Sequence, residues 1–96
     1  MQNIESDAKK ELCCIQLVND MPVLRARLGV SQDEVASKVG ISRQTLSSYE
    51  SKKRKMPWSV CIALVSYFSS DSKTRDMMKT NTYLYDLVDE VFKSKD

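Results

Sequence analysis

The sequence contains no histidine, and only two glycines and two prolines in 96 residues. Without histidine it lacks the side chain best suited to proton transfer near neutral pH, and neither a phosphate-cradling glycine loop nor a nucleophile motif takes its place. Enzymatic activity is therefore not expected. Scarce glycine and proline, few β-branched runs and many helix formers predict an all-α fold. The longest unbroken apolar run, Val60 to Val65, falls far short of the roughly 20 residues that span a bilayer. No membrane association is expected.

Cysteine is also sparse. Cys13, Cys14 and Cys61 are odd in number and two are adjacent, so no disulfide framework is expected. No charged start followed by an apolar run marks a secretory signal, and a reducing cytoplasm is the expected setting. Cys13 and Cys14 invite a redox or metal-sensing reading, but a zinc site usually takes four Cys/His ligands, which are not available here. Small packing residues are the better account. Neither a metal nor a cofactor is expected.

What is present is enough for one small domain: 42% of the residues are apolar. The formal net charge of +2 is unevenly distributed. Residues 20–55 hold eight basic side chains against four acidic ones, whereas 1–19 and 56–96 each carry a net −1. Four of the basic residues, Lys52, Lys53, Arg54 and Lys55, are consecutive. Such a run alone is as well explained by a solvated loop. The functional alternative is a surface that neutralises phosphates and releases counterions.

The motif lies between Ser31 and Pro57. Ser31 with Glu34 forms a capping box, in which hydroxyl and carboxylate satisfy two backbone donors at a helix start. Val35, Ala36 and Val39 follow at helical spacing, and Gly40 can take the left-handed conformation that ends a helix without a Cβ clash. Ser42 caps a second helix whose Leu46 and Tyr49 face inward, leaving Arg43, Gln44, Ser47 and Ser48 outside. Ala36 is small where two helices joined by so short a turn must cross closely. These features together describe a helix-turn-helix.

From about Pro22 to Phe68 the chain resembles the Cro/C1-type, or XRE-type, helix-turn-helix of phage repressors and bacterial regulators. The resemblance rests on L-R-A-R-L-G at Leu24–Gly29, S-Q-D-E-V-A at Ser31–Ala36, G-I-S-R-Q-T-L-S at Gly40–Ser47 and the Tyr49-Glu50 pair. It implies base contacts from Arg43, Gln44, Ser47 and Ser48, and phosphate contacts from Gln32 and Thr45. Arginine matches guanine O6 and N7, and glutamine matches adenine N6 and N7. The plain alternative is an ordinary exposed helix face. The basic run, Lys52 to Lys55, would add further phosphate contacts. Arg25 and Glu50 match a pair that orients the first and third helices of related repressors; two independent surface charges are the alternative. Where the family often has Asn-Gly after the glutamate, this chain has Ser51-Lys52. Either a non-glycine residue is held in a left-handed cap, at roughly 1–2 kcal/mol, or the loop takes another path.

Around the motif, Leu12, Ile15 and Val18 predict a helix from Asp7 to about Val18, and Pro22 predicts a break before a short helix ending at Gly29. Pro57 is expected in the first turn of a helix reaching about Phe68, which is apolar nearly all round and needs covering by the N-terminal helix or another subunit. Ser69 to Lys73 is expected to be a loop leading towards a short helix through Met77 and Met78. A last helix, Tyr83 to about Lys93, carries the apolar stripe Leu84, Leu87, Val88 and Val91.

The expected architecture is a five- to six-helix bundle containing a lambda-repressor-like helix-turn-helix, all in one compact domain. Residues 1–19 form an N-terminal extension, 20–69 the DNA-binding part and 70–96 a C-terminal helical extension. The resemblance implies a transcriptional regulator, most simply a repressor, that binds a palindromic site in double-stranded DNA as a homodimer. An antitoxin-like or other protein-interaction module on the same scaffold is the alternative, and would bring a protein partner.

Overall fold

A computed structural model describes residues 4–81, with side-chain surroundings from residue 7 onward. Five helices follow in order: α1 (Ile4–Leu28), α2 (Gln32–Val39), α3 (Arg43–Glu50), α4 (Trp58–Ser69) and α5 (Ser72–Lys79). Among the described residues there is no strand. The stripe Leu84, Leu87, Val88 and Val91 lies outside them.

The expected break at Pro22 does not occur, and α1 runs through it for 25 residues. Pro22 sits on the exposed side of α1. An interior proline costs about 3 kcal/mol. Leu17, Met21 and Leu24 on the opposite side are each completely buried, and each such burial contributes about 1.5–3 kcal/mol, enough to keep the two halves in one continuous helix. The inward face also differs from that marked by Leu12 and Ile15. Those two are 43% and 49% exposed, whereas Cys13, Cys14, Leu17 and Val18 enter the core.

α4 is the central element, packed by α1, α2 and α5. Its apolar surplus is thus largely covered within the chain: Cys61, Leu64, Val65 and Phe68 are buried, and Trp58, Val60 and Tyr67 pack partly buried against the core. Pro57 precedes α4 as its N-cap, one position before the expected place, and its carbonyl accepts from Val60 and Cys61. Cys13, Cys14 and Cys61 are free and buried. The neighbouring Cys13 and Cys14 side chains, reinforced by burial, push the Cys61 thiol above its ordinary range. Among the described residues no group of three His, Cys, Asp or Glu side chains could hold a metal ion, and no helix is long and apolar enough to cross a membrane.

α5 begins where Asp71 accepts from the Lys73 amide at 2.8 Å. Thr74, fully buried, donates to the Phe68 carbonyl at 2.6 Å, which closes the short α4–α5 turn. Asn81 donates to the Cys13 carbonyl at 3.3 Å, anchoring the chain after α5 to α1.

Candidate nucleic-acid interface

Both caps read from the sequence are formed. Ser31 Oγ accepts from the Glu34 amide at 3.1 Å while the Glu34 carboxylate accepts from the Ser31 amide at 3.2 Å. Gly40 is left-handed at φ 80°, and Ser42 Oγ accepts from the Thr45 amide at 3.0 Å. Three residues, Gly40 to Ser42, join α2 to α3, and the buried Val35, Ala36, Leu46 and Tyr49 lock α2 against α3 and the core.

The same packing fixes which side of α3 faces out. Arg43 and Gln44 are exposed, Thr45, Ser47 and Ser48 are half-buried, and Leu46 and Tyr49 fill the inner side. Arg43, Gln44, Ser47 and Ser48 join Ser51 and Lys53 around a polar depression of about 230 Å³. The four side chains expected to read bases are therefore brought together. Ser48 differs from the others because its hydroxyl donates to the Thr45 carbonyl at 2.6 Å, leaving its oxygen to act as an acceptor.

Three helix ends use one device. After α1, Gly29 at φ 69° donates to Ala26 O, and Val30 donates to Arg25 O. After α2, Ile41 donates to Ala36 O beyond the left-handed Gly40. After α3, Lys52 donates to Tyr49 O at 3.1 Å and Lys53 to Ser48 O at 2.9 Å, the bond pattern of a Schellman motif. Here the left-handed position, φ 67°, is occupied by Lys52. Of the two paths open at Ser51-Lys52, the chain takes the left-handed cap, at Lys52.

This cap divides the basic run. Lys53 lies beside Arg43 and Gln44, whereas Lys52, Arg54 and Lys55 turn towards α1. The Arg54 guanidinium stands 5.7 Å from the Tyr49 ring centre, a cation–π distance. Lys55 Nζ meets Glu11 Oε2 of α1 at 2.6 Å, and this carboxylate raises the Lys55 pKa. Nothing in residue spacing signalled that pairing, because Glu11 lies 44 positions upstream.

Behind the interface, Arg25 and Glu50 form a bidentate pair: Nε donates to Oε2 at 3.0 Å and Nη2 to Oε1 at 2.9 Å. Gln32, expected at a phosphate, donates from Nε2 to the same Glu50 Oε1 at 3.2 Å. One carboxylate at the end of α3 thus ties α1 and α2 to it. Gln32 is the first residue of α2, so the bond places its side chain at a helix N-terminus suited to anions.

A tight turn between two short helices that share a buried seam, with polar side chains on the outer face of the second, defines a helix-turn-helix unit. A family model described as "Helix-turn-helix" matches residues 24–68. The chain carries a helix-turn-helix of the Cro/C1 type, that of the XRE family of DNA-binding transcription regulators. Comparisons with curated proteins and with solved structures gave no match.

Proposed function

We propose that this chain represses transcription by occupying a palindromic operator as a homodimer, with α3 in the major groove. The observation that carries this reading is the orientation of α3, whose outer side gathers Arg43, Gln44, Ser47 and Ser48 while Leu46 and Tyr49 are buried. Arg43 and Gln44 stand in the first turn, the part of a recognition helix that reaches base edges. Gln32, Thr45, Lys52, Lys53, Arg54 and Lys55 supply phosphate contacts. Lys53 has the most direct placement, beside the recognition residues, and Lys55 the least, since Glu11 already holds it. A single recognition helix reads few base pairs, so two copies about 34 Å apart supply the affinity and the palindromic preference. Residues 1–19, 20–69 and 70–96 act as one domain in the cytoplasm.

Selecting bound sites from random DNA tests this reading. A two-fold symmetric motif is expected; binding without sequence preference would overturn it.

A second reading, an antitoxin-like or other protein-interaction module, draws on Leu12, Ile15 and Val23, which leave apolar surface exposed on the outer side of α1. Salt dependence separates the two, because a module that binds only protein has no phosphate contacts to weaken.

A further inference from the structure

A groove of about 390 Å³ opens between the first half of α1 and the α3–α4 connection, on the side of that connection away from Arg43 and Gln44. Its volume lies in the range of small-molecule sites, about 300–1,000 Å³. The floor is apolar: Cys14, Val18, Tyr49 and Met56 are buried, with Ile15 and Trp58 at the open edge. Among the described residues, charge sits only on the rim, where Lys10, Lys52, Arg54 and Lys55 face a single carboxylate, Glu11. Lys55 already pairs with that carboxylate at 2.6 Å. Two of the other cations stand over aromatic rings of the lining, Lys10 Nζ at 5.8 Å from the Trp58 centre and Arg54 at 5.7 Å from that of Tyr49.

An apolar floor stabilises a ligand by removing hydrocarbon from water, and an unbalanced ring of cations selects the ligand's charge. A neutral apolar molecule leaves the rim unused, and a cation is repelled by it. We infer that this groove is a binding site for a small apolar anion, an aromatic or aliphatic acid whose hydrocarbon lies against Ile15, Tyr49 and Met56 and whose acid group meets Lys10, Lys52 and Arg54. Such a ligand would touch Tyr49, on the helix that carries Arg43 and Gln44, and would draw on two cations of the α3–α4 connection. The site stands on the groove alone and does not depend on DNA binding.

Trp58 is the only tryptophan and lies in the lining, so it reports directly on an occupant. Two probes sharing one ring system, anionic 1-anilinonaphthalene-8-sulfonate and neutral N-phenyl-1-naphthylamine, would be titrated into the full chain while energy transfer from Trp58 is followed. The anionic probe should bind about fivefold or more tightly than the neutral one, a difference matching one or two exposed charge contacts. Ile15→Glu adds a carboxylate at a half-exposed position and should weaken the anionic probe about tenfold. The double variant Lys52→Ala, Arg54→Ala should erase the preference for the anion while leaving the neutral probe unchanged. Circular dichroism and a thermal melt of each variant would separate loss of the site from loss of the fold, since an unfolded variant cannot retain the neutral probe with native affinity. Equal binding of the two probes, or unaltered binding to Ile15→Glu, would overturn the proposal. If another part of this chain or a second copy already fills the groove, neither probe transfers energy from Trp58, and the proposal fails.

Discussion

Arg25, in the last turn of α1, and Glu50, the last residue of α3, meet in a two-pronged ion pair at 3.0 and 2.9 Å across 25 positions of sequence. The carboxylate is the more buried partner, with 8% of its side chain exposed against 21% for the arginine. Glutamate at a helix C-terminus is disfavoured by the helix dipole, and the guanidinium offsets that disadvantage. The pair ties the end of α3 to the last turn of α1.

Arg25→Met should therefore destabilise the protein by about 2–4 kcal/mol, because Glu50 would be left in a recessed site with Gln32 but without its guanidinium partner. Replacing both residues with apolar ones should be milder. Denaturant unfolding of the two single variants and the double variant measures the coupling; purely additive effects would mean that the two charges act independently.

Lys52→Gly should stabilise the fold by about 1 kcal/mol, since glycine takes the left-handed conformation without the Cβ penalty and the two bonds of the motif remain. Greater freedom of the unfolded chain removes part of the gain. A higher unfolding midpoint is the expected outcome, and a lower one would place the side chain's own contacts above backbone strain.

Arg43→Ala should weaken specific DNA binding by roughly 1–3 kcal/mol and relax the preference at one base pair of each half-site. An unchanged site-selection motif at full strength would remove Arg43 from base readout.

Neutralising Lys53 should weaken binding to specific and random DNA alike, and reduce the slope of log affinity against log salt by about 0.9. Neutralising Lys55 should change the slope less, given its pairing with Glu11. Equal slopes for the two variants would mean that DNA pulls Lys55 away from Glu11.

Asp20→Asn should raise stability at neutral pH, with a gain that fades as pH falls through the raised folded value and is gone below the ordinary aspartate value of 3.8. Burial raises the Asp20 pKa, so the folded state binds its proton more tightly than the unfolded state does. Stability from this group is fully present below the unfolded value and is lost as pH rises through the folded one. Thermal melts of both proteins across that range provide the check.

The helix-turn-helix was legible in the sequence because its signals act over three or four residues. Ser31 with Glu34, Gly40, and Ser42 three residues before Thr45 each solve a hydrogen-bonding problem at a helix end, and such solutions need no distant partner. The side of α3 that is buried follows from its spacing of Leu46 and Tyr49 for the same reason. Arg25 and Glu50 were paired through resemblance alone, since no local rule joins residues so far apart.

Where local preference met packing, packing prevailed. Pro22 carries a true preference against helix in the residue before it, yet α1 continues, because the buried face made by Leu17, Met21 and Leu24 outweighs one lost hydrogen bond. Leu12 and Ile15 kept their helical spacing and still faced outward, since spacing defines a stripe without saying which stripe the rest of the chain will cover. The pairing of Lys55 with Glu11, the attachment of Gln32 to Glu50 and the groove edged by Trp58 all depend on elements far apart along the chain. Where the helices of the motif start and stop follows from local residues, because capping is local chemistry. Which charges meet and which apolar surface is left open follows from packing, because those outcomes are set by contacts between elements far apart along the chain.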